Sequence, residues 1–335
     1  MVRTGPFGVG IQSVAERRWS SLSLCSLPAG SVLLREGEPS NWYARVVSGS
    51  LEVTRRSPVG PQRLAVVEAG ALVGELGLLT GVERRATVTA LTDSVVDFGD
   101  AELFARCLQD EGFVESFAGT VADRLASLAT PVTITLAKGG TVTLRPGLAA
   151  DRSALRAGLA AMSRESLRRR FFSGGMPPNP VIDRLVDLDY VDHFAWVAID
   201  GPDPEGELVG AARFFRSATD AEAADVSFGI IDRAQGRGIG RVLVESIGVA
   251  AQAAGVRRLT ADVLSENAPM RSLLRRPSTR TMASEPGVVH LEMDSADFGS
   301  SLDPPVRREL AEVAASIVWH TATLLTGTHR ELTED

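Results

Sequence analysis

Two short stretches of this 335-residue chain combine residue types and spacings suited to phosphate chemistry. The first is Gly74-Glu75-Leu76-Gly77, followed after a short gap by Arg84-Arg85-Ala86-Thr87-Val88. A phosphate ester of a sugar needs a fixed cation, several backbone N–H donors, and a carboxylate to accept from a sugar hydroxyl. A turn after Gly74 aims N–H groups inward as an anion nest. Arg84 adds a forked, charge-assisted donor pair, and Glu75 supplies the carboxylate. The second stretch is Gln235-Gly236-Arg237-Gly238-Ile239-Gly240. Its small residues let the backbone approach a pyrophosphate closely. A helix starting there offers free N–H groups and the positive end of its dipole. The spacing differs from the dinucleotide fingerprint, which places glycines as G-x-G-x-x-G and an acid on the next strand.

The elements that must position these residues follow from patterning. Between residues 28 and 98, short strands alternate with glycine turns, as at Ser48-Gly49-Ser50, and predict an antiparallel barrel or jelly roll. Asp100 reads as the cap of a helix through Gln109. A second helix runs over Phe113–Leu128 and stops at Pro131. From 132 the texture changes. A hairpin spans Val132–Leu136 and Thr141–Arg145, and helices follow over 151–161 and 163–172. Ser173–Pro180 reads as a loop. Strands are expected at Phe194–Ile199, Leu208–Phe215, Asp225–Ile231, Leu259–Leu264 and Val288–Met293. Helices are expected at 238–254 and Ala268–Arg275, so this half is α/β or α+β. A tail helix over 303–325 carries one apolar face of Leu310, Val313, Ile317 and Leu324.

Composition narrows the function classes. Hydrophobic residues are 44% and charged residues 23%, an ordinary globular balance. Acids outnumber bases, 42 to 35, for a net charge of −7. That argues against a nucleic-acid coat or a polybasic membrane surface. No apolar run reaches membrane-spanning length, and the opening residues lack a signal-peptide core, so a cytoplasmic protein is expected. Two cysteines, Cys25 and Cys107, make no disulfide framework. The four histidines show no metal-ligand spacing, and His193 reads as a structural hydrogen-bonder. Lys138 is the only lysine. GC-rich coding explains that best, although it also suits an enzyme that avoids modifying itself.

The first stretch, with Gly30, Gly37 and Gly49 upstream, resembles the phosphate-binding cassette of the cyclic-nucleotide-binding family, roughly G-E-x-A-L, a gap, then R-x-A-T/S-V. The resemblance implies that Glu75 meets the ribose and Arg84 the phosphate. It also implies a cradle from Gly74 and the backbone of Leu76, Gly77, Arg85 and Ala86. Gly77 replaces the usual alanine, a mild change on the sequence alone. Glu83 and Arg85 replace a proline and a small residue, and the Arg85 charge either aids the phosphate or pairs with Glu83. The absence of Thr at position 85 favours cAMP over cGMP. Arg124 is the candidate to stack on adenine, its other reading being a solvated helix charge. A cassette that has lost its ligand is the alternative for the whole module.

The second stretch resembles the pyrophosphate loop of the GNAT acetyltransferases, R/Q-x-x-G-x-G/A. Thr143-Leu144-Arg145-Pro146 with Asp151, the run Ser163–Phe172, and Asn267 agree with that family. The resemblance implies acetyl-CoA as co-substrate, held by Ser227, Phe228, Gly229, Gln235, Gly236, Arg237, Gly238, Ile239, Gly240, Asn267 and Arg275. Acetyl transfer to an amine needs a proton acceptor and donors for the developing oxyanion. Asp225 shares a strand face with Ser227 and Gly229 and is the candidate base, directly or through water. Family members commonly carry the longer Glu there. A solvated strand-end acid is the other reading of Asp225, and Glu222 is a second candidate. The arginines 168–170 read as a solvated helix face, with contact to a CoA phosphate as the alternative.

Together the halves resemble the mycobacterial cAMP-regulated protein lysine acetyltransferases of the PatA type. Asp189-Tyr190-Val191-Asp192-His193-Phe194 and Asn267-Ala268-Pro269-Met270-Arg271 add to the likeness, and Arg276-Pro277-Ser278-Thr279-Arg280 departs from it. The expected fold is α+β in two domains, a jelly-roll cyclic-nucleotide-binding domain (12–130) and a mixed α/β GNAT domain (132–297). A helical tail (303–325) follows, either a lid or permanently docked. The resemblance implies protein substrates such as acyl-CoA synthetases, with no nucleic-acid, membrane or metal partner. A small-amine acetyltransferase and a non-catalytic nucleotide sensor remain as alternatives.

Overall fold

The computed structural model describes residues 24–57, 60–201, 203, 206–283 and 285–326, so residues 12–23 of the expected first domain lie outside it. The chain divides into two compact units. They part inside two helices, between Val121 and Ala122 and between Thr321 and Ala322.

In the first unit, short strands with glycine turns close into two antiparallel four-stranded sheets. One has the order β1 (Leu24–Leu27), β8 (Ser94–Asp100), β3 (Trp42–Ser48), β6 (Leu72–Val73). The other runs β2 (Val32–Leu34), β7 (Thr87–Ala90), β4 (Ser50–Ser57), β5 (Gly60–Glu68). Val46, Leu51, Val88 and Val96 form the core between them. The β3–β4 hairpin forms where Gly49 predicts it: φ is 88°, and a Cβ there would lie 2.2 Å from Ser94 Oγ. After Gly74 the chain makes a short helix, α1 (Glu75–Thr80), where the sequence suggested only a turn. Asp100 caps α2 (Ala101–Cys107), its carboxylate accepting from Leu103 N–H at 2.8 Å. Helix α3 (Glu111–Leu128) then passes into the second unit.

The second unit is built on one eight-stranded sheet. Its order is β15 (Arg280–Ala283), β16 (Val288–Asp294), β14 (Arg258–Leu264), β13 (Ala223–Ile230), β12 (Glu207–Arg216), β11 (His193–Asp200), β10 (Thr141–Pro146), β9 (Val132–Thr135). Neighbours are antiparallel except β13 and β14. Helix α7 (Ile239–Ala253) is apolar on nearly all sides because it is buried; Leu243, Val244, Ile247 and Ala250 have no exposure. Helices α4 (Arg152–Ala160), α5 (Arg164–Phe171) and α8 (Ala268–Leu273) fall close to expectation.

In the second unit, a helix and an edge strand are additions to the sequence reading. Helix α6 (Asn179–Val186) begins inside the expected loop, with Pro180 in its first turn, where a missing N–H costs nothing. It is held by Ile182 and Leu185 packing with Leu155, Leu159 and Leu167. Strand β15 is a short, charged edge strand held only by β16. In the last helix, α9 (Pro304–Thr326), Leu310, Ile317 and Leu324 are buried as read from the spacing. Ala314 and Val318 are buried beside them, and Val313 is only half-buried.

Candidate functional site

The chemistry of the second unit is set by where two strands separate. β13 and β14 pair only at Ala223–Arg258, Ala224–Leu259 and Asp225–Thr260, then diverge. Among the described residues, the β13 edge facing β14 has no strand partner from Val226 to Ile230, which leaves backbone groups there for a ligand, Ile230 O excepted, since it accepts from the Gln235 amide. Asp225 stands at the last paired position, where the gap opens. Its side chain is accessible at the rim. Desolvation in the cleft and the neighbouring Asp262 carboxylate push its pKa up to about 6, against the opposing pull of Arg170, His290 and a Thr260 hydrogen bond. A carboxyl group poised there is mostly ionised at neutral pH yet basic enough to take a proton.

Beside the gap lies a cavity of about 420 Å³. Phe228 and Gly229 line it from β13, Gln235, Gly236, Gly238 and Gly240 from the loop, and Asn267 from the start of α8. Gly236 and Gly238 have φ of 74° and 100°, conformations that only glycine adopts freely, and a Cβ at either would meet open space. Gly238 caps α7 without a side chain. The first N–H groups of that helix, at Ile239 and Gly240, have no helical acceptor and face an incoming anion. Asn267 is buried and its side chain caps α8, accepting from Met270 N–H at 3.3 Å.

Several expected contacts have other roles. The Ile239 side chain is core. Arg237 pairs with Asp200, Nη2 donating at 3.0 Å. The Gln235 amide ties the loop to Ile230 O at 3.2 Å and Asp232 at 3.1 Å. Ser227 accepts from Arg170 at 2.9 Å at the cleft floor. Arg275 lies in a second cavity of about 430 Å³, which shares Arg241 and Leu273 with the first. There Arg276, part of the segment that departs from the family pattern, is fixed by Glu245 at 2.7 Å. Glu222 is exposed and 3.3 Å from Arg257, outside the gap.

The reading of arginines 168–170 as a solvated face fits Arg168 and Arg169, which are exposed, and not Arg170, which is half-buried. Arg169 and Arg170 line the cavity, and only Arg168 turns away, to Glu266. Burial pulls the Arg170 pKa down to about 10, opposed by Asp225. The signal was present in the spacing, since Arg170 follows the buried Leu167 by three residues and shares its helix face. Lys138 and Arg241 also line the cavity, neither foreseen there. His193 is structural, as expected. It is buried against Phe215, and its Nδ1 donates to Asp187 O at 2.8 Å. Burial and Arg213 push its pKa down to about 4. Among the described residues, no group of His, Cys, Asp and Glu could hold a metal ion, and no helix is long and apolar enough to cross a membrane.

In the first unit the cassette residues come together. Glu75 and Arg84 are 2% and 4% exposed. Arg84 donates to Gly74 O and Trp42 O, both at 2.5 Å, and stacks over the Trp42 ring. Burial lowers its pKa, while Glu75 and Glu38 support the charge. Arg84 therefore braces the cassette internally as well as offering a cation. Gly74 has φ of 84°, and a Cβ there would lie 2.6 Å from Arg84 Nη1. Leu76 and Ala86 are half-buried, while Glu83 and Arg85 are exposed. Gly77 is not the mild change it looked. A Cβ there would fall 1.9 Å from Ser40 Oγ, so Ser40 occupies the methyl's place. Arg124 is half-buried on α3, in the second unit.

Comparison with known proteins finds a family match in each half of the chain. Residues 24–111 match the cyclic nucleotide-binding domain, and residues 162–276 match the acetyltransferase (GNAT) family. The chain is similar to the acetyltransferase Pat of Mycolicibacterium smegmatis, 34% identical over 265 residues, 79% of each protein. Among solved structures it resembles the cAMP-binding acyltransferase from Mycobacterium smegmatis at 28% identity, covering 92% of both chains with a TM-score of 0.47. It also resembles the GNAT domain of S. lividans PAT at 31% identity, covering 49% of this chain and 96% of that one, with a TM-score of 0.45.

Proposed function

The chain belongs to the family of the acetyltransferase Pat, GNAT acyltransferases joined to a cyclic-nucleotide-binding domain, and from that premise we propose that it is a cytoplasmic, cAMP-regulated protein lysine acetyltransferase. Acetyl-CoA lays its pyrophosphate on the loop from Gly236 to Gly240 and its thioester along the open edge of β13. The acceptor amine enters beside Asp225. That carboxylate takes the ammonium proton, directly or through a water that makes up for the side chain's short reach. The neutral nitrogen then bonds to the thioester carbonyl carbon. Backbone N–H groups between Val226 and Ile230 carry the oxyanion. The C–S bond breaks, and the leaving CoA thiolate takes the second proton from the nitrogen, giving the amide and the CoA thiol.

The observation that carries this reading is the position of Asp225, the last residue of β13 paired with β14, three residues before Phe228, which lines the cavity. The acceptor side is broad. Asp225 and Asp262 are accessible, and Met282 is 46% exposed. Such a surface suits a protein such as an acyl-CoA synthetase better than a small amine, which would favour an enclosed pocket. Glu75 and Arg84 support cAMP as the controlling ligand, acting by binding one arrangement of the enzyme better than another. Acetylation of an acetyl-CoA synthetase, with and without cAMP, tests the proposal. Acetyl-lysine formation that changes with cAMP and collapses in Asp225→Ala is expected. Absence of transfer in the wild-type enzyme would overturn it.

A further inference from the structure

The sheet face that carries Asp225 holds a second titratable pair. Asp225 is registered with Thr260 on β14, and Asp262 is two residues further along the same face. Asp262 is registered with His290 on β16, and His290 Nδ1 lies 2.8 Å from Asp262 Oδ1. An ionised carboxylate only accepts, so Nδ1 carries the hydrogen, and in the neutral ring Nε2 is the nitrogen free to take a proton. The pair is accessible, with side chains 51% exposed for Asp262 and 30% for His290. The opposite face of β14 (Leu259, Ala261, Val263) is buried, so the polar face is the one an acceptor meets. The other charges there are accounted for. Arg170 is hydrogen-bonded to Ser227 at the cleft floor. Glu292 faces Arg258 at 3.9 Å and Arg280 at 3.8 Å.

We propose that His290, oriented by Asp262, is the outlet for the proton that Asp225 removes from the acceptor amine. This rests on acetyl transfer with Asp225 as base. The ammonium gives its proton to the Asp225 carboxylate, and the neutral amine goes on to form the amide. The Asp225 carboxylic acid then passes that proton, through solvent in the cleft, to His290 Nε2. The resulting imidazolium faces the Asp262 carboxylate, which balances its charge until the proton is lost to bulk water. Asp225 is thereby returned to its basic form for the next acceptor, and His290 and Asp262 act as positioning residues. The electrostatics agree, since Asp262 holds the Asp225 pKa up and His290 pulls it down.

The test uses the full chain, acetyl-CoA and an acetyl-CoA synthetase as acceptor. His290→Ala should lower kcat about tenfold, a modest share of what acid–base groups contribute, with the acetyl-CoA KM unchanged. Added imidazole should restore the rate saturably. His290→Gln keeps an N–H for Asp262 but carries no proton, so it should fold normally and stay as slow as the alanine variant. The acid limb of the pH profile should move down in Asp262→Asn and up in His290→Ala. In an Asp225→Asn background, His290→Ala should cost nothing more. Full kcat in both His290 variants, or a loss that imidazole does not restore, overturns the proposal. Full activity in Asp225→Asn would instead overturn the reading beneath it.

Discussion

Replacing Gly77 by alanine, the residue common in the family at this place, should damage the protein. A Cβ at Gly77 would lie 1.9 Å from Ser40 Oγ, 2.4 Å from Ser40 Cβ and 3.2 Å from Val82 O. Ordinary contact begins near 3.4 Å, so the hydroxyl would have to retreat by about 1.5 Å. Overpacking of this kind costs about 1–3 kcal/mol. Alanine inside a helix returns about 0.5–1 kcal/mol, which leaves a net loss of about 0.5–2 kcal/mol. Ser40→Ala would not relieve the clash, because the Ser40 Cβ itself is in the way. Ser40→Gly would, and on that background Gly77→Ala should become neutral or stabilising. Urea unfolding of the four proteins, with cAMP titrations alongside, measures the coupling. A Gly77→Ala protein as stable as wild type, or a double variant no better than the sum of its parts, would refute the steric argument.

Asp225→Asn should lower kcat/KM by about 10²–10⁴-fold. In the wild type the reactive form is the carboxylate, so activity should fall as pH drops through about 6; a profile flat to pH 5 would exclude Asp225 as the base. Gly238→Ala forces a side chain into φ of 100° and should raise the acetyl-CoA KM severalfold at an internal cost of about 1–2 kcal/mol, read by steady-state kinetics. His193 is 5% exposed, and its folded pKa of about 4 lies below the ordinary 6.5. The unfolded chain therefore takes up a proton that the native one refuses. Stability should fall as pH drops from about 6.5 to about 4, by up to roughly 3 kcal/mol, and urea unfolding at pH 7 and pH 5 checks the sign.

What the sequence made legible was whatever depends on residue identity at one place. Gly74, Gly236 and Gly238 announce backbone conformations that other residues avoid, and each is found in one. Asp100 announces a helix start, and the buried spacing of α9 announces its covered face. What stayed hidden depends on pairs far apart in the chain. Ser40 fills the space of a methyl missing 37 positions later. His290 meets Asp262 only through strand register. The ion pair of Arg237 with Asp200, and the place of Arg275 in a cavity adjoining the first, are likewise set by the fold and not by residue type. The parting of β13 from β14 is a property of the whole sheet, and no local pattern writes it down.

That parting leaves a seam in the middle of the second unit, and the seam has the dimensions of a strand's edge rather than of a pocket. The pantetheine arm of coenzyme A carries two amides of its own, so in the proposed binding mode, along β13, it would serve as a stitch that restores the missing ladder. On that reading the co-substrate would be structural as well as chemical. At a hundred times its dissociation constant such a ligand adds about 2.7 kcal/mol to the folded state. Cellular acetyl-CoA would therefore set how firmly the catalytic half holds together, before any acetyl group moves.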